Sequence, residues 1–284
     1  MRYETPSTSK EAAALLAKEK GHGFVLAGGT DLLVKMRTGL VEPDLLVDIK
    51  HIPAMSEIKE SKTGFRIGAA VPSAKLGQHK ALAKAWPGVV EAAQLIGSDQ
   101  IQGRCTVVGN LCNASPAADS VPALIAAGAK VVVVGKDKRR TVAAEDIMTG
   151  PGKTSLARGE IIEAVTLPKP GRKTGDAYLR FIPRTEMDIA VVGVGICLTL
   201  ERGVISKAKV CLGAVGPTPI VVPEAAKAIK GTKLDEAALD ALAAACSKAC
   251  KPIDDKRGTV KYRTRVAGVL AKRAAAIAFQ RAGG

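Results

Sequence analysis

The run Thr106-Val107-Val108-Gly109-Asn110-Leu111-Cys112-Asn113-Ala114-Ser115-Pro116-Ala117-Ala118-Asp119 constrains this chain more than any other stretch. It is rich in small and polar residues, yet it lies between apolar segments in the middle of the sequence. Exposed loops seldom need so many small side chains in succession. A backbone that must approach a ligand closely does, because glycine and alanine leave room for contact and free the amide N–H groups to face it. A second stretch of the same character occurs near the start: Val25-Leu26-Ala27-Gly28-Gly29-Thr30-Asp31-Leu32. Two such loops can grip one large anionic ligand.

The chain has 284 residues, long enough for two domains. Its residues are 47% hydrophobic but only 3% aromatic, so the core is built from Ala, Val, Leu and Ile, and a base-stacking surface is not expected. The formal net charge of +15 is spread along the sequence. A solvated basic surface is the favoured reading, ahead of a docking face for an acidic protein, and nucleic acid is not expected as a partner. Six cysteines form no C-x-x-C pair, and three histidines, His22, His51 and His79, complete no zinc or iron–sulfur ligand set, so no metal site is expected. Scattered cysteines without a signal peptide point to a reducing cytoplasm. No apolar run reaches the ~20 residues of a membrane span.

Along the chain, 7–20 reads as a helix capped by Ser7 or Ser9, and 24–27 as a buried strand that runs straight into Gly28 and Gly29. A helical turn at 32–37 and a strand at 45–49 complete a small layered module. A hairpin at 58–61 and 65–69 follows, then helices at 73–76, 81–85 and 89–96, the small-residue loop, a helix at 121–127, a strand at 130–135, a helical turn at 143–147 and a strand at 161–167. Pro168-Lys169-Pro170-Gly171-Arg172-Lys173-Thr174-Gly175 reads as a linker. Beyond it come strands at 177–181, 190–200 and 207–214, then alanine-rich helices at 234–251 and 263–281. Short strands mixed with short helices indicate an α+β arrangement.

Gly28-Gly29-Thr30-Asp31 is not a G-x-G-x-x-G fingerprint, and no Walker-type loop occurs. Structural turn and ligand loop both remain open for it; exposed N–H groups and the Thr30 hydroxyl suit a pyrophosphate. In the longer run, Asn110 offers donor and acceptor, and Ser115 and Asp119 suit a polyol. A packed internal loop is the alternative, but a buried loop must satisfy its two asparagine amides. No nucleophile elbow or paired carboxylates appear, so any chemistry belongs to a bound cofactor.

Both loops together resemble the FAD-binding medium subunit of the molybdenum hydroxylase family, which includes the xanthine dehydrogenase and aerobic carbon monoxide dehydrogenase types. The resemblance continues through Gly159-Glu160-Ile161-Ile162, Tyr178-Leu179-Arg180-Phe181 and Met187-Asp188-Ile189-Ala190, in the expected order over almost the whole chain. It implies a two-lobed FAD-binding domain of the PCMH type over residues 1–172, with lobes at about 1–55 and 56–172. A C-terminal domain of an antiparallel sheet with packed helices is implied over 173–284. FAD is the implied cofactor, with its pyrophosphate region held by Val25–Leu32 and Thr106, Val107, Val108, Gly109 and Asn110. Asp119, beside Ser115, maps to a contact with the ribityl or phosphate region, and Ile96 and Ile162 map near the rings. Arg180 stands where the family often places a lysine beside the isoalloxazine; a positive charge there favours the anionic reduced flavin. The implied partners are a large molybdenum-cofactor subunit and a small [2Fe–2S] subunit, in a dimer of heterotrimers, with NAD+, a quinone or another acceptor taking the electrons. The family loop usually reads Thr-Ile/Val-Gly-Gly-Asn, so Val108 replaces a glycine. Val108 is expected to keep a negative φ with its N–H toward the pyrophosphate. A scaffold that keeps this fold but has lost the flavin is the rival expectation.

Overall fold

The structure is a computed structural model describing residues 1–284. Its first lobe runs β1 (Arg2–Glu4), α1 (Ser9–Lys18), β2 (Gly23–Leu26), α2 (Leu32–Arg37) and β3 (Leu45–Asp48). The strands form a parallel sheet in the order β1-β3-β2. All of β3 is buried, which is why it reads as an unbroken apolar run into Asp48. The cap of α1 differs from expectation: Thr8, not Ser7 or Ser9, accepts from the Glu11 N–H. Ser9 is used elsewhere, donating across to Glu163 at 2.6 Å.

The second lobe begins with β4 (Ile58–Ser61) and β5 (Gly64–Gly68). A helical stretch follows: α3 (Ser73–Gln78), α4 (Lys80–Ala85), α5 (Pro87–Gln94), α6 (Asp99–Gln102), α7 (Val107–Asn113) and α8 (Ser120–Ala126). Then come β6 (Lys130–Val134), β7 (Arg139–Ala143), the small pair β8 (Met148–Gly150) and β9 (Lys153–Thr154), and β10 (Ile161–Pro168). The main sheet has the order β4-β5-β10-β6-β7 and is antiparallel. The buried Glu163, beside a bulge in β10, gathers Ser9, Arg66 and Arg139 and so ties α1 to this sheet.

The stretch read as a continuous loop at 106–119 contains a helix. Thr106 caps α7 by accepting from the Gly109 N–H at 2.8 Å, and Ala114, at φ 50°, ends it in the left-handed conformation. Small residues and one well-placed threonine outweigh the weak helix propensity of Val107, Val108 and Asn110. The linker is also shorter than expected. Pro168 closes β10 and Thr174 already opens the next strand, leaving 169–173 between them.

The C-terminal sheet is antiparallel, in the order β11 (Thr174–Phe181), β12 (Val192–Glu201), β13 (Val204–Gly213), β14 (Ile220–Val221). Helices α9 (Pro223–Ile229), α10 (Glu236–Ala249) and α11 (Val260–Arg281) cover one face and share an aliphatic core with it. On the other side lies α8, whose seven residues are all buried. Gly195 makes room for it: a Cβ there would lie 2.5 Å from the Pro122 carbonyl oxygen.

Asp176 of β11 fastens the same seam. Its Oδ2 accepts from the Val89 N–H at 3.0 Å, at the start of α5. Arg281 adds bonds to Glu91 and to the Asp176 carbonyl. The carboxyl is buried, its Oδ1 has no partner, and burial pushes its pKa up to about 6. The stability this group contributes is therefore full below its unfolded pKa and is lost as pH rises through about 6. Asp176→Ala, which strands the helix N–H groups, is expected to cost about 1–2 kcal/mol. Asp176→Asn keeps an acceptor without the charge, so its Tm should gain on the wild type between pH 5 and pH 8. A Tm difference that is the same at both pH values counts against this account.

Candidate functional site

The end of β2, the loop 27–31, the first turns of α2 and α7, and β10 surround a cleft of about 550 Å3 between the two lobes. Of the residues singled out from the sequence, Val25, Ala27, Gly28, Gly29, Thr30, Asp31, Leu32, Ile96, Thr106, Val108, Gly109, Asn110 and Ile162 line it. Leu26 and Val107 do not; they are buried side chains beneath the two loops. Ser115, Asp119 and Arg180 lie outside the cleft lining.

Two glycines shape the first loop for different reasons. Gly29 has φ 77°, a conformation that L side chains rarely adopt. Gly28 is needed for space: a Cβ there would sit 2.0 Å from the Arg104 carbonyl oxygen and 3.0 Å from Cys105 Cα. The loop is therefore pressed against the segment that leads into α7. The consequence is a concentration of donors. The backbone N–H groups of the six residues Ala27–Leu32 find no acceptor within the chain, and neither do those of Val107 and Val108. Val108 does not have a positive φ; it lies in the first turn of α7, so the valine is unstrained there. Asn110 has its carbonyl tied back, accepting from the Ser120 N–H at 3.1 Å and hydroxyl at 2.7 Å. Its amide NH2 is left for a ligand.

Asp119 and Arg180 are instead partners of each other. Asp119 Oδ2 meets an Arg180 guanidinium nitrogen at 2.9 Å, with the arginine side chain only 7% exposed. The other oxygen, Oδ1, is buried without a partner. Burial pushes the Asp119 carboxyl up to about 6, against the pull of Arg180 and of the Tyr178 hydroxyl. Asp119 is linked to the cleft lining through the next residue, Ser120, which holds Asn110.

Sequence reasoning missed several lining residues. Lys35 lies one helical turn beyond Asp31; Val41 and Leu156 carry no signal of their own. Asn113 and Glu160 belong to quoted motifs but were not assigned to the site. Glu160 is neutralised by Arg140, which grips both its oxygens at 3.0 and 2.8 Å.

These features fit FAD. Clustered N–H groups without protein acceptors form an anion nest suited to a diphosphate. Ile96, Ile162, Val25 and Ala69 supply apolar walls, and the cleft volume is in the range of cofactor sites.

Comparison with known proteins gives the family. Residues 1–170 match the family described as FAD binding domain in molybdopterin dehydrogenase, and residues 177–278 match the CO dehydrogenase flavoprotein C-terminal domain. The carbon monoxide dehydrogenase medium chain of Afipia carboxidovorans is 34% identical over 99% of this chain and 97% of its own length. The xanthine dehydrogenase FAD-binding subunit of Escherichia coli O157:H7 is 28% identical over 99% and 97%. Among solved structures, a carbon monoxide dehydrogenase from Hydrogenophaga pseudoflava superposes with a TM-score of 0.94 at 31% identity, covering 99% of this chain and 98% of that one. No helix is long and apolar enough to cross a membrane. With family matches over residues 1–170 and 177–278 and a relative 34% identical over 99% of the sequence, this chain belongs to the family of FAD-binding medium subunits of the molybdenum hydroxylases, a family of oxidoreductase components.

Proposed function

We propose that the chain is the FAD-carrying electron-transfer subunit of a cytoplasmic heterotrimeric molybdenum hydroxylase, assembled as a dimer of heterotrimers. Substrate is oxidised on a large molybdenum-cofactor subunit, and electrons pass through [2Fe–2S] clusters on a small subunit to this one. FAD, when bound, would supply the redox chemistry between those clusters and an acceptor such as NAD+, a quinone or another molecule. The residues of this chain bind and orient. The N–H groups of 27–32 and of Val107 and Val108 hold the diphosphate, Asn110 offers its amide, and Ile96 and Ile162 exclude water from the apolar part.

The observation that supports this reading best is the donor-rich cleft between the 25–32 and 106–110 segments. Purification of the chain with its co-purifying subunits tests it. The expected result is stoichiometric FAD released by acid, with molybdenum and iron in the same complex. A folded complex that is colourless and takes up no FAD would point to the scaffold reading instead.

A further inference from the structure

The cleft lining contains one lysine and no arginine, and that lysine, Lys35, is not free. Its Nζ donates to Asn113 Oδ1 at 2.6 Å. The other end of the same amide, Nδ2, donates to Asp31 Oδ1 at 3.2 Å. An ammonium can only donate and a carboxylate can only accept, so this is the one orientation of the Asn113 amide that satisfies both neighbours. Lys35 and Asp31 belong to α2 and the loop before it; Asn113 closes α7. The three side chains therefore form a clasp between the two lobes at the cleft that separates them.

The charge balance gives Lys35 a second task. The acidic lining residues are Asp31 and Glu160, and Glu160 is already paired with Arg140. A diphosphate brings further negative charge beside Asp31. Backbone N–H groups carry only partial charges, and Lys35 is the only full positive charge on the lining to meet it. Asn113 occupies one of its three N–H donors, which leaves two for phosphate oxygens.

We propose that Lys35 is the charged anchor for the diphosphate of the bound dinucleotide, and that Asn113 positions it by clasping α2 to α7. This rests on the FAD reading of the cleft. It adds a residue that neither glycine loop contains, and it makes cofactor affinity depend on contact between the lobes.

The test uses the full-length chain with its co-purifying subunits, stripped of flavin and titrated calorimetrically with FAD, ADP and riboflavin. Lys35→Met is expected to weaken FAD and ADP by about tenfold or more, the range for a lost charge-assisted hydrogen bond, and to leave riboflavin within twofold. It should also flatten the salt dependence of FAD binding, because the screened attraction is gone. Lys35→Arg, which keeps charge and donors, should retain most of the affinity. Asn113→Ala keeps the charge but frees it, and is expected to fall between the wild type and Lys35→Met. A wild type that binds FAD while Lys35→Met binds it within twofold overturns the anchor and leaves the FAD reading intact. Equal losses for ADP and riboflavin assign Lys35 to lobe closure alone and overturn its role at the diphosphate. A wild type that binds none of the three overturns the FAD reading and the anchor with it.

Discussion

Gly28→Ala is expected to reduce bound flavin to below about a tenth of wild type and to lower Tm, through one steric contact that nothing nearby can relieve. The new Cβ would lie 2.0 Å from the Arg104 carbonyl oxygen and 2.6 Å from its carbon, where ordinary contact begins near 3.4 Å. Both are backbone atoms, so no rotamer change opens the space. The loop must instead move away from the segment that enters α7. That movement separates the N–H groups of 27–32 from those of Val107 and Val108, which together form the diphosphate nest. Gly29→Ala provides the comparison. Its strain is torsional, about 1–2 kcal/mol for an L residue held left-handed. The nearest atom to its Cβ is the end of the Leu33 side chain at 2.9 Å, which can swing aside. Acid-released flavin per chain and Tm should therefore fall far more for Gly28→Ala than for Gly29→Ala. Full flavin content and an unchanged Tm in Gly28→Ala would remove the close approach of the loops from the account of the site.

The contrast between these two glycines shows what a sequence of this kind reveals. A double glycine directly after an apolar strand announces that the backbone will do something unusual, and here it marks the cleft. It does not disclose that one glycine serves conformation and the other space, because the space is set by Arg104 and Cys105, far away in sequence. The same limit explains Lys35. Nothing in Leu32-Leu33-Val34-Lys35 distinguishes it from a solvated helix lysine until α7 brings Asn113 beside it. The helix within 106–119 was legible in principle through Thr106, whose hydroxyl caps it, but glycine, asparagine and paired valines argue for a loop when read locally. The two-residue strands β9 and β14, and the three-residue β1, are too short for any alternation to declare them. Asp176 shows a further case: the strand read at 177–181 begins one residue after it, and its service as an acceptor for α5 depends on how the C-terminal sheet docks.

Arg180→Met is expected to cost about 3–5 kcal/mol, the range for removing one partner of a buried ion pair, with a Tm loss on the order of 10 °C. The arginine side chain is 7% exposed and that of Asp119 12%, so neither charge has water to fall back on. Asp119 is poorly placed to lose its partner because its Oδ1 already lacks one. With Arg180 present, burial holds the carboxyl pKa at about 6; without it the strongest opposing pull disappears and the pKa rises further. The sign of the pH dependence follows. A raised folded pKa gives a stability contribution that is complete below the unfolded pKa and lost as pH rises through the folded value. The deficit of Arg180→Met should therefore be largest near pH 8 and shrink toward pH 5 as Asp119 takes up a proton. Asp119→Asn removes the stranded charge, so the double variant should recover much of the stability lost by Arg180→Met. If the two substitutions add without interaction, and the deficit does not change with pH, the pair is not the electrostatic unit described here. The midpoint potential of bound flavin then separates two roles for the same cation. A potential unchanged in Arg180→Met, with the stability lost, confines Arg180 to its ion pair with Asp119. A more negative potential shows that its charge reaches the flavin and favours the reduced, anionic form.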